Sequence, residues 1–253
     1  MIRWLFERFS KENSQNDSPS PNAQPSVLCV YVSFNLDEYD LSFISDNSRD
    51  CTMVVIESVD VPSLYNHKLK NDPSVEYHTR PNVGYDVTAW KDYILENYER
   101  IKNFDYLVLV NNSCRYDFRI MDAIRDMKRK GATFYGLNHS PDRADHLQSY
   151  FTVADKSIVR TPAFHNHWLF MRNIDDREDA ISKHELTFMD DMLKAGAKVG
   201  SLTDYSFIGS GYEPSRYNSS MGVVPPFMKK KILYKGANLI NYERLLRTLP
   251  HML

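Results

Sequence analysis

Short apolar runs, each about the length of one strand, alternate with stretches of helical periodicity from Val27 onward. "VLCVYVSF", "CTMVVIESV" and "YLVLV" are too short for ordinary buried helices and rich in β-branched residues, so they read as buried strands. "SVEYHT" is a weaker candidate of the same kind, and "ATFYGL", "SYFTVA" and the short "AKVGSL" follow further on. Between them, "DVTAWKDYILENYERI" places Val87, Trp90, Ile94 and Ile101 at helical spacing. "RIMDAIRDMKRKG" does the same with Ile120, Ile124 and Met127, and stops at Gly131, a C-terminal helix signal. "HELTFMDDMLKAG" reads as a helix starting at His184-Glu185, with Leu186, Met189 and Leu193 on one stripe and Gly196 at its end. Strands that alternate with helices in this way predict an α/β fold on a largely parallel sheet.

The chain has 253 residues, 42% of them hydrophobic and 13% aromatic, enough to bury one substantial core. Its 31 basic and 33 acidic residues give a formal charge of -2, so no overall basic field is available to hold a polyanion, and nucleic acid is not the expected partner. Cys29, Cys51 and Cys114 lack metal-type spacing, and the reading is of reduced thiols in a cytoplasmic setting. No apolar run approaches the length needed to span a bilayer.

Two regions stand apart from the alternation. "MIRWLFERFSK" puts Ile2, Leu5, Phe6 and Phe9 on one helical face, and "ENSQNDSPSPNAQPS" is polar and proline-bearing. Residues 1–26 therefore read as an amphipathic segment plus a flexible linker, and 27–253 as a single domain. For residues 1–11 two readings stand: peripheral contact with the inner face of the cell membrane, or a helix packed on its own domain or frayed. Toward the other end come a glycine-, serine- and tyrosine-rich loop, the pair Pro225-Pro226, a lysine run and an amphipathic helix around Leu239–Leu249.

Ligands of open parallel sheets bind beyond the carboxyl ends of the strands. Four polar clusters fall there: Asn35, Glu57-Ser58, the turn "RPNVGYD", and Asn111-Asn112-Ser113. In the turn, Gly84 supplies backbone freedom, Asp86 is placed to cap the helix carrying Trp90, and Arg80 adds charge for a phosphate at the helix start. An ordinary strand-turn-helix junction with a capping aspartate fits the same residues. His165 and His167 in "HNHW" would point the same way on an extended segment, as metal ligands or as structural histidines. Asp190 and Asp191 read as solvated.

Taken together, "RPNVGYDVTAWKDYI", "YLVLVNNS", "HLQSYFTV", Glu185 followed by "LKAG", and "PPFMKKKIL" resemble the rhamnan synthesis protein F family over Val27 to about Leu246. More distantly, their order is similar to the GT-A nucleotide-sugar fold. The resemblance implies a glycosyltransferase that moves a sugar, L-rhamnose from a dTDP donor, to a cell-surface polysaccharide or lipid-linked acceptor. It further implies that Asn35 and Glu57 hold base and ribose, and that Asn82, Gly84, Asp86 and Lys91 help close the nucleotide pocket. Asn111-Asn112-Ser113 falls on the metal motif, where the family usually shows Asn-Asp-Ser. Asn112 stands where the aspartate is expected, removing the charge that Mg²⁺ or Mn²⁺ favours at Asn112 and Ser113. Three outcomes stay open: a divalent cation bound through substrate phosphates, a metal-independent site using Arg80, Arg115 or Lys229 to Lys231, or loss of catalysis.

By the same resemblance Glu185 is the general base, with Asp191 the alternative, and His146, Gln148 and Ser149 are acceptor or sugar contacts. A polar edge to a buried strand explains the last three equally well. A non-catalytic nucleotide-sugar or glycan-binding module of a polysaccharide-assembly system is the rival function.

Overall fold

The structure, a computed structural model, describes residues 24–204 except 142, 173 and 175, together with 225–234 and 247. In chain order the elements are β1 (Val27–Ser33), α1 (Glu38–Asn47), β2 (Thr52–Ser58), α2 (Asn66–Lys70), β3 (Val75–Arg80), α3 (Tyr85–Glu96), α4 (Tyr98–Ile101), β4 (Tyr106–Asn111) and β5 (Cys114–Tyr116). They continue with α5 (Ile120–Arg129), β6 (Phe134–Ser140), β7 (His146–Leu147), β8 (Phe151–Asp155), α6 (Lys156–Val159), α7 (Pro162–Phe170) and α8 (Arg177–Ala180). A π-helical turn (Ile181–Glu185), α9 (Leu186–Lys194), β9 (Val199–Asp204), β10 (Phe227–Lys229) and α10 (Lys230–Leu233) complete them. The amphipathic segment 1–11, the loop 205–224 and the helix expected around Leu239–Leu249 fall outside the described residues, Arg247 excepted.

The main sheet runs β3-β2-β1-β4-β8-β6-β7, with β9 added beside β6. β1 pairs in parallel with both β2 and β4, and β2 with β3. β8 runs antiparallel between β4 and β6, which returns β6 and β9 to the common direction. The result is a mixed α/β fold with a mostly parallel sheet flanked by helices. This is the largely parallel α/β arrangement expected from the sequence.

β1 is buried along its whole length, as a central strand covered on both faces must be. Alternate residues serve the two faces. Cys29 and Tyr31 join Phe43 and Ile44 of α1 and Ile120, Ile124 and Met127 of α5. Leu28, Val30 and Val32 face Trp90 and Ile94 of α3, Trp168 of α7 and Phe188 of α9. All three cysteines are free and buried. Among the described residues no helix is long and apolar enough to cross a membrane.

Several local expectations are corrected. The helix read as 86–101 breaks at Asn97, whose Nδ2 donates to the Tyr93 carbonyl at 3.0 Å. His184-Glu185 does not start a helix: α8 is capped by Asp176 and the π-turn joins it to α9, so Glu185 is internal. The buried stripe of α9 is Phe188, Met189 and Met192, and Leu193 is 45% exposed. "HNHW" is helical rather than extended, with Thr161 at the N-cap and Pro162 in the first turn. The two histidines accordingly point apart, His165 to Tyr98 and His167 to His184.

Candidate active site

The parallel strands β1, β2 and β4 end side by side, and the backbone beyond them is held open by unusual local geometry. Asn35, Gly84 and Tyr85 all take positive φ, at 69°, 73° and 58°. At Gly84 a side chain is excluded twice over, because a Cβ would also meet Thr88 Oγ1 at 2.1 Å. Gly84, not Asp86, occupies the N-cap of α3. Asp86 instead turns into the first helical turn, accepting from the Val87 N–H at 3.0 Å and from the Asn111 amide.

These termini enclose a cavity of about 410 Å³ lined by Phe34, Ser58, Asn82, Tyr85, Asn112 and Ser113. It shares Tyr85, Asp86, Asn111 and Ser113 with a second cavity of about 500 Å³, into which Ser149, Arg177, Glu185, Lys229 and Lys231 also face. The two form one cleft at the carboxyl edge of the sheet, the position where open α/β sheets bind ligands. Asn82, Asp86, Asn111, Asn112, Ser113, Ser149 and Glu185 come together here.

Glu185 reaches the cleft from the last residue of the π-turn. Its Oε2 accepts from the Ser149 hydroxyl at 2.7 Å and the Ser149 N–H at 3.2 Å, while Oε1 lies 3.7 Å from His146 Nε2. His146 Nδ1 is 2.8 Å from the Ala144 carbonyl, which can only accept, so Nδ1 carries the proton. Burial raises the Asp86 carboxyl above its ordinary value and the Glu185 charge adds to the rise, against the Asn111 amide, the Val87 N–H and Lys229.

Other sequence candidates lie outside this cleft. Glu57 is fully buried, accepting from Ser63 N–H at 3.0 Å and from the Tyr77 hydroxyl, so Ser58 is the β2 residue that lines the cavity. Arg80 holds its own turn through the Val83 carbonyl and Asp92, each at 3.1 Å. Lys91 donates to the Met171 carbonyl at 2.6 Å, and Arg115 pairs with Asp117 and stacks over Tyr39. Asn35 is exposed and contributes its carbonyl to the Asn112 amide at 3.4 Å. Gln148 is buried beside β7, its N–H on the Asn138 carbonyl at 3.0 Å.

Asp191 is 35% exposed and lies outside the cleft. It lines a separate groove of about 630 Å³ and accepts from His167 Nδ1 at 2.8 Å, and His167 Nε2 in turn faces His184 Nδ1 at 3.0 Å. Sequence reasoning missed this buried pair of histidines, and also Tyr85 and Arg177 in the cleft. For Tyr85 the signal available was adjacency to Gly84; for Arg177 it was Asp176, a helix-capping residue type that places the next residue in a first turn.

The metal-motif position does not fit a divalent cation. Asn112 Oδ1 accepts from the Phe34 N–H and its Nδ2 donates to the Phe34 carbonyl, both at 3.1 Å, so the amide pairs with backbone as a strand would. Asn111 Oδ1 is taken by the Ser113 N–H and hydroxyl at 3.0 and 2.5 Å. Hard divalent cations need several oxygens, preferably anionic, and among the described residues the cleft offers two carboxylates, Asp86 and Glu185, of which Glu185 is held by Ser149 and Asp86 by Asn111. Among the described residues no group of three or more His, Cys, Asp or Glu side chains is gathered that could hold a metal.

Fold and cleft define a mixed α/β protein whose candidate ligand site lies at the carboxyl edge of a mostly parallel sheet. The chain belongs to the rhamnan synthesis protein F family, whose model matches residues 53–251. The curated protein y4gN of Sinorhizobium fredii is 26% identical over 128 residues, 49% of this chain and 33% of that protein, so the chain spans a third of that relative's length. Among solved structures, one assigned as a nucleotide-diphospho-sugar transferase of Desulfovibrio desulfuricans is 12% identical, with a TM-score of 0.43 over 88% of this chain and 96% of that one. S. aureus TarS is 9% identical, with a TM-score of 0.45 over 70% of this chain and 58% of that one.

Proposed function

We propose that this chain is a nucleotide-sugar-dependent glycosyltransferase that moves L-rhamnose from a dTDP donor to a cell-surface polysaccharide or lipid-linked acceptor. The observation that carries the reading is Glu185, a carboxylate fixed by two Ser149 donors at the same cleft as the β1, β2 and β4 termini. In the reaction the acceptor hydroxyl oxygen attacks the anomeric carbon, the bond from that carbon to the phosphate oxygen breaks, and the nucleoside diphosphate leaves. Glu185 takes the hydroxyl proton. With Oε2 held by Ser149, Oε1 is the oxygen left to do so, and fixing the carboxylate lowers the cost of orienting it. Asp191, in its separate groove, is not assigned this role.

Thermal unfolding against dTDP-, UDP-, GDP- and CMP-linked sugars tests the donor. A ligand at about a hundred times its dissociation constant stabilises by roughly 2.7 kcal/mol, a shift of about 5 to 10 °C for a chain this size. Glu185→Gln then lowers turnover by about 10²- to 10⁴-fold while leaving that shift in place. Turnover that survives the change removes Glu185 as base. Asn112, amide-paired to Phe34 where the family usually has aspartate, is the observation favouring the rival, a non-catalytic binding module. A donor-induced shift without turnover on any acceptor supports that rival.

A lipid-linked acceptor gives the amphipathic residues 1–11 a use at the inner face of the membrane. Association with anionic liposomes falls on deletion of residues 1–23 if they make that contact. Unchanged association removes it.

A further inference from the structure

We infer that the donor's diphosphate is neutralised by Lys229, with Lys231 and Arg177, in place of a divalent cation at the end of β4. The inference rests on the donor site proposed above and names what counters its charge. A diphosphate brings concentrated negative charge, and in a cleft that already holds Asp86 and Glu185 it needs cations within contact distance. At the metal-motif position the side chains are committed to protein groups, Asn112 to the Phe34 backbone and Asn111 to Asp86 and Ser113.

Arg80, Arg115 and Lys91 are engaged outside the cleft. Lys230 is bound by Asp37 and Asp40, at 2.7 and 2.5 Å. Lys229 lines the cleft beside Lys230, is 9% exposed, and has its Nζ 3.1 Å from Ser113 Oγ and 4.0 Å from the centre of the Tyr150 ring.

β10 pairs antiparallel with β5, register Lys229 to Cys114, so the lysine stands beside the residues that immediately follow β4. The face of the Tyr150 ring attracts the ammonium electrostatically. Lys231 and Arg177 line the same cavity from exposed positions. Lys229 with either of them carries the charge of one divalent ion. A lysine is a point charge and an arginine a bidentate fork, and both suit phosphate oxygens without needing carboxylate ligands.

Calorimetric titration of the full chain with dTDP, UDP and GDP, in EDTA and separately in excess Mg²⁺ or Mn²⁺, tests this. One of them binds in EDTA with a Kd within about twofold of its value with metal, and Lys229→Met weakens it by about tenfold or more, the loss of one charge-assisted contact. Lys229→Arg recovers most of the affinity, and the matching nucleoside, lacking phosphates, binds wild type and Lys229→Met alike. Binding that vanishes in EDTA and returns with Mn²⁺ overturns the inference and leaves the donor site standing. So does metal-indifferent binding that Lys229→Met does not weaken. No diphosphate binding in either condition takes the donor site down with it. Should Lys229→Met fail to fold, the double variant Lys231→Met, Arg177→Met replaces it: a comparable loss supports the inference, and unchanged affinity overturns it.

Discussion

Asn112 shows what one heavy atom decides. Its Nδ2 donates to the carbonyls of Phe34 and Asn35, and it lies 3.5 Å from Asp40 Oδ2. An aspartate would keep the acceptor for the Phe34 N–H, lose every donor, and set a second carboxylate against Asp40. Asn112→Asp is therefore expected to destabilise the protein by ~1 to 2 kcal/mol at neutral pH, read as a lower denaturation midpoint with unchanged slope. A gain in stability on adding Mn²⁺ to that variant, absent in wild type, would mean the position reverts to a metal ligand. The departure from the family's residue was visible in the sequence. Its partner was not, because the Phe34 backbone is 78 positions away and nothing in either stretch announces the pairing.

At the scale of elements, the sequence read the strands well and the helix faces less well. β1, β2 and β4 carry β-branched runs that only a buried strand satisfies. The segment 186–194 offers two overlapping apolar stripes, Leu186-Met189-Leu193 and Phe188-Met189-Met192, and packing against α7 selects the second. The π-turn was not legible because its consequence is tertiary: it turns His184 inward, against Trp90, Trp168 and Phe188, and leaves Glu185 on the cleft. Burial lowers the pKa of His184, with the His167 charge adding to it; burial also lowers that of His167 against the pull of Asp191. Folded values below the unfolded one mean that the unfolded chain binds more protons as the pH drops through about 6.5. The stability the neutral pair contributes is complete above that pH and is lost on acidification. The carboxylate Asp105, lowered by its bond to Lys156, acts in a separate window below about pH 4. From about pH 7.5 to 5 the histidine pair draws unfolding free energy down while protonation of the raised carboxyls Asp86 and Asp40 acts the other way, so His184→Phe should shift the slope toward less loss on acidification whatever its effect on absolute stability. An equal slope in the variant would remove the histidine pair as the cause.

Across the whole molecule, the segment 225–234 closes the site from the far end of the chain. Phe227, Met228, Ile232 and Leu233 enter the same core cluster as β1 and α1, and Lys230 bridges Asp37 and Asp40 over sequence separations of 193 and 190. "PPFMKKKIL" read as a lysine run gave no sign that its middle charge is buried, since burial there depends on a carboxylate at the start of α1. Asp40 is 1% exposed and also accepts from the Tyr31 hydroxyl at 2.6 Å. Desolvation already raises its pKa, and the Lys230 charge opposes that rise. Lys230→Met leaves the carboxylate uncompensated, at an expected cost of about 3 to 5 kcal/mol near pH 7. The sign of its pH dependence follows. Without the ammonium the folded pKa of Asp40 rises further above the unfolded one, so protonation favours the folded state and the deficit relative to wild type narrows as the pH falls toward about 4. Adding Asp40→Asn should recover part of the loss at neutral pH, because the amide removes the buried charge while still accepting from Tyr31. A deficit that stays constant with pH, and a double variant no better than the single one, would mean that Lys230 acts through its packed methylenes rather than through its charge.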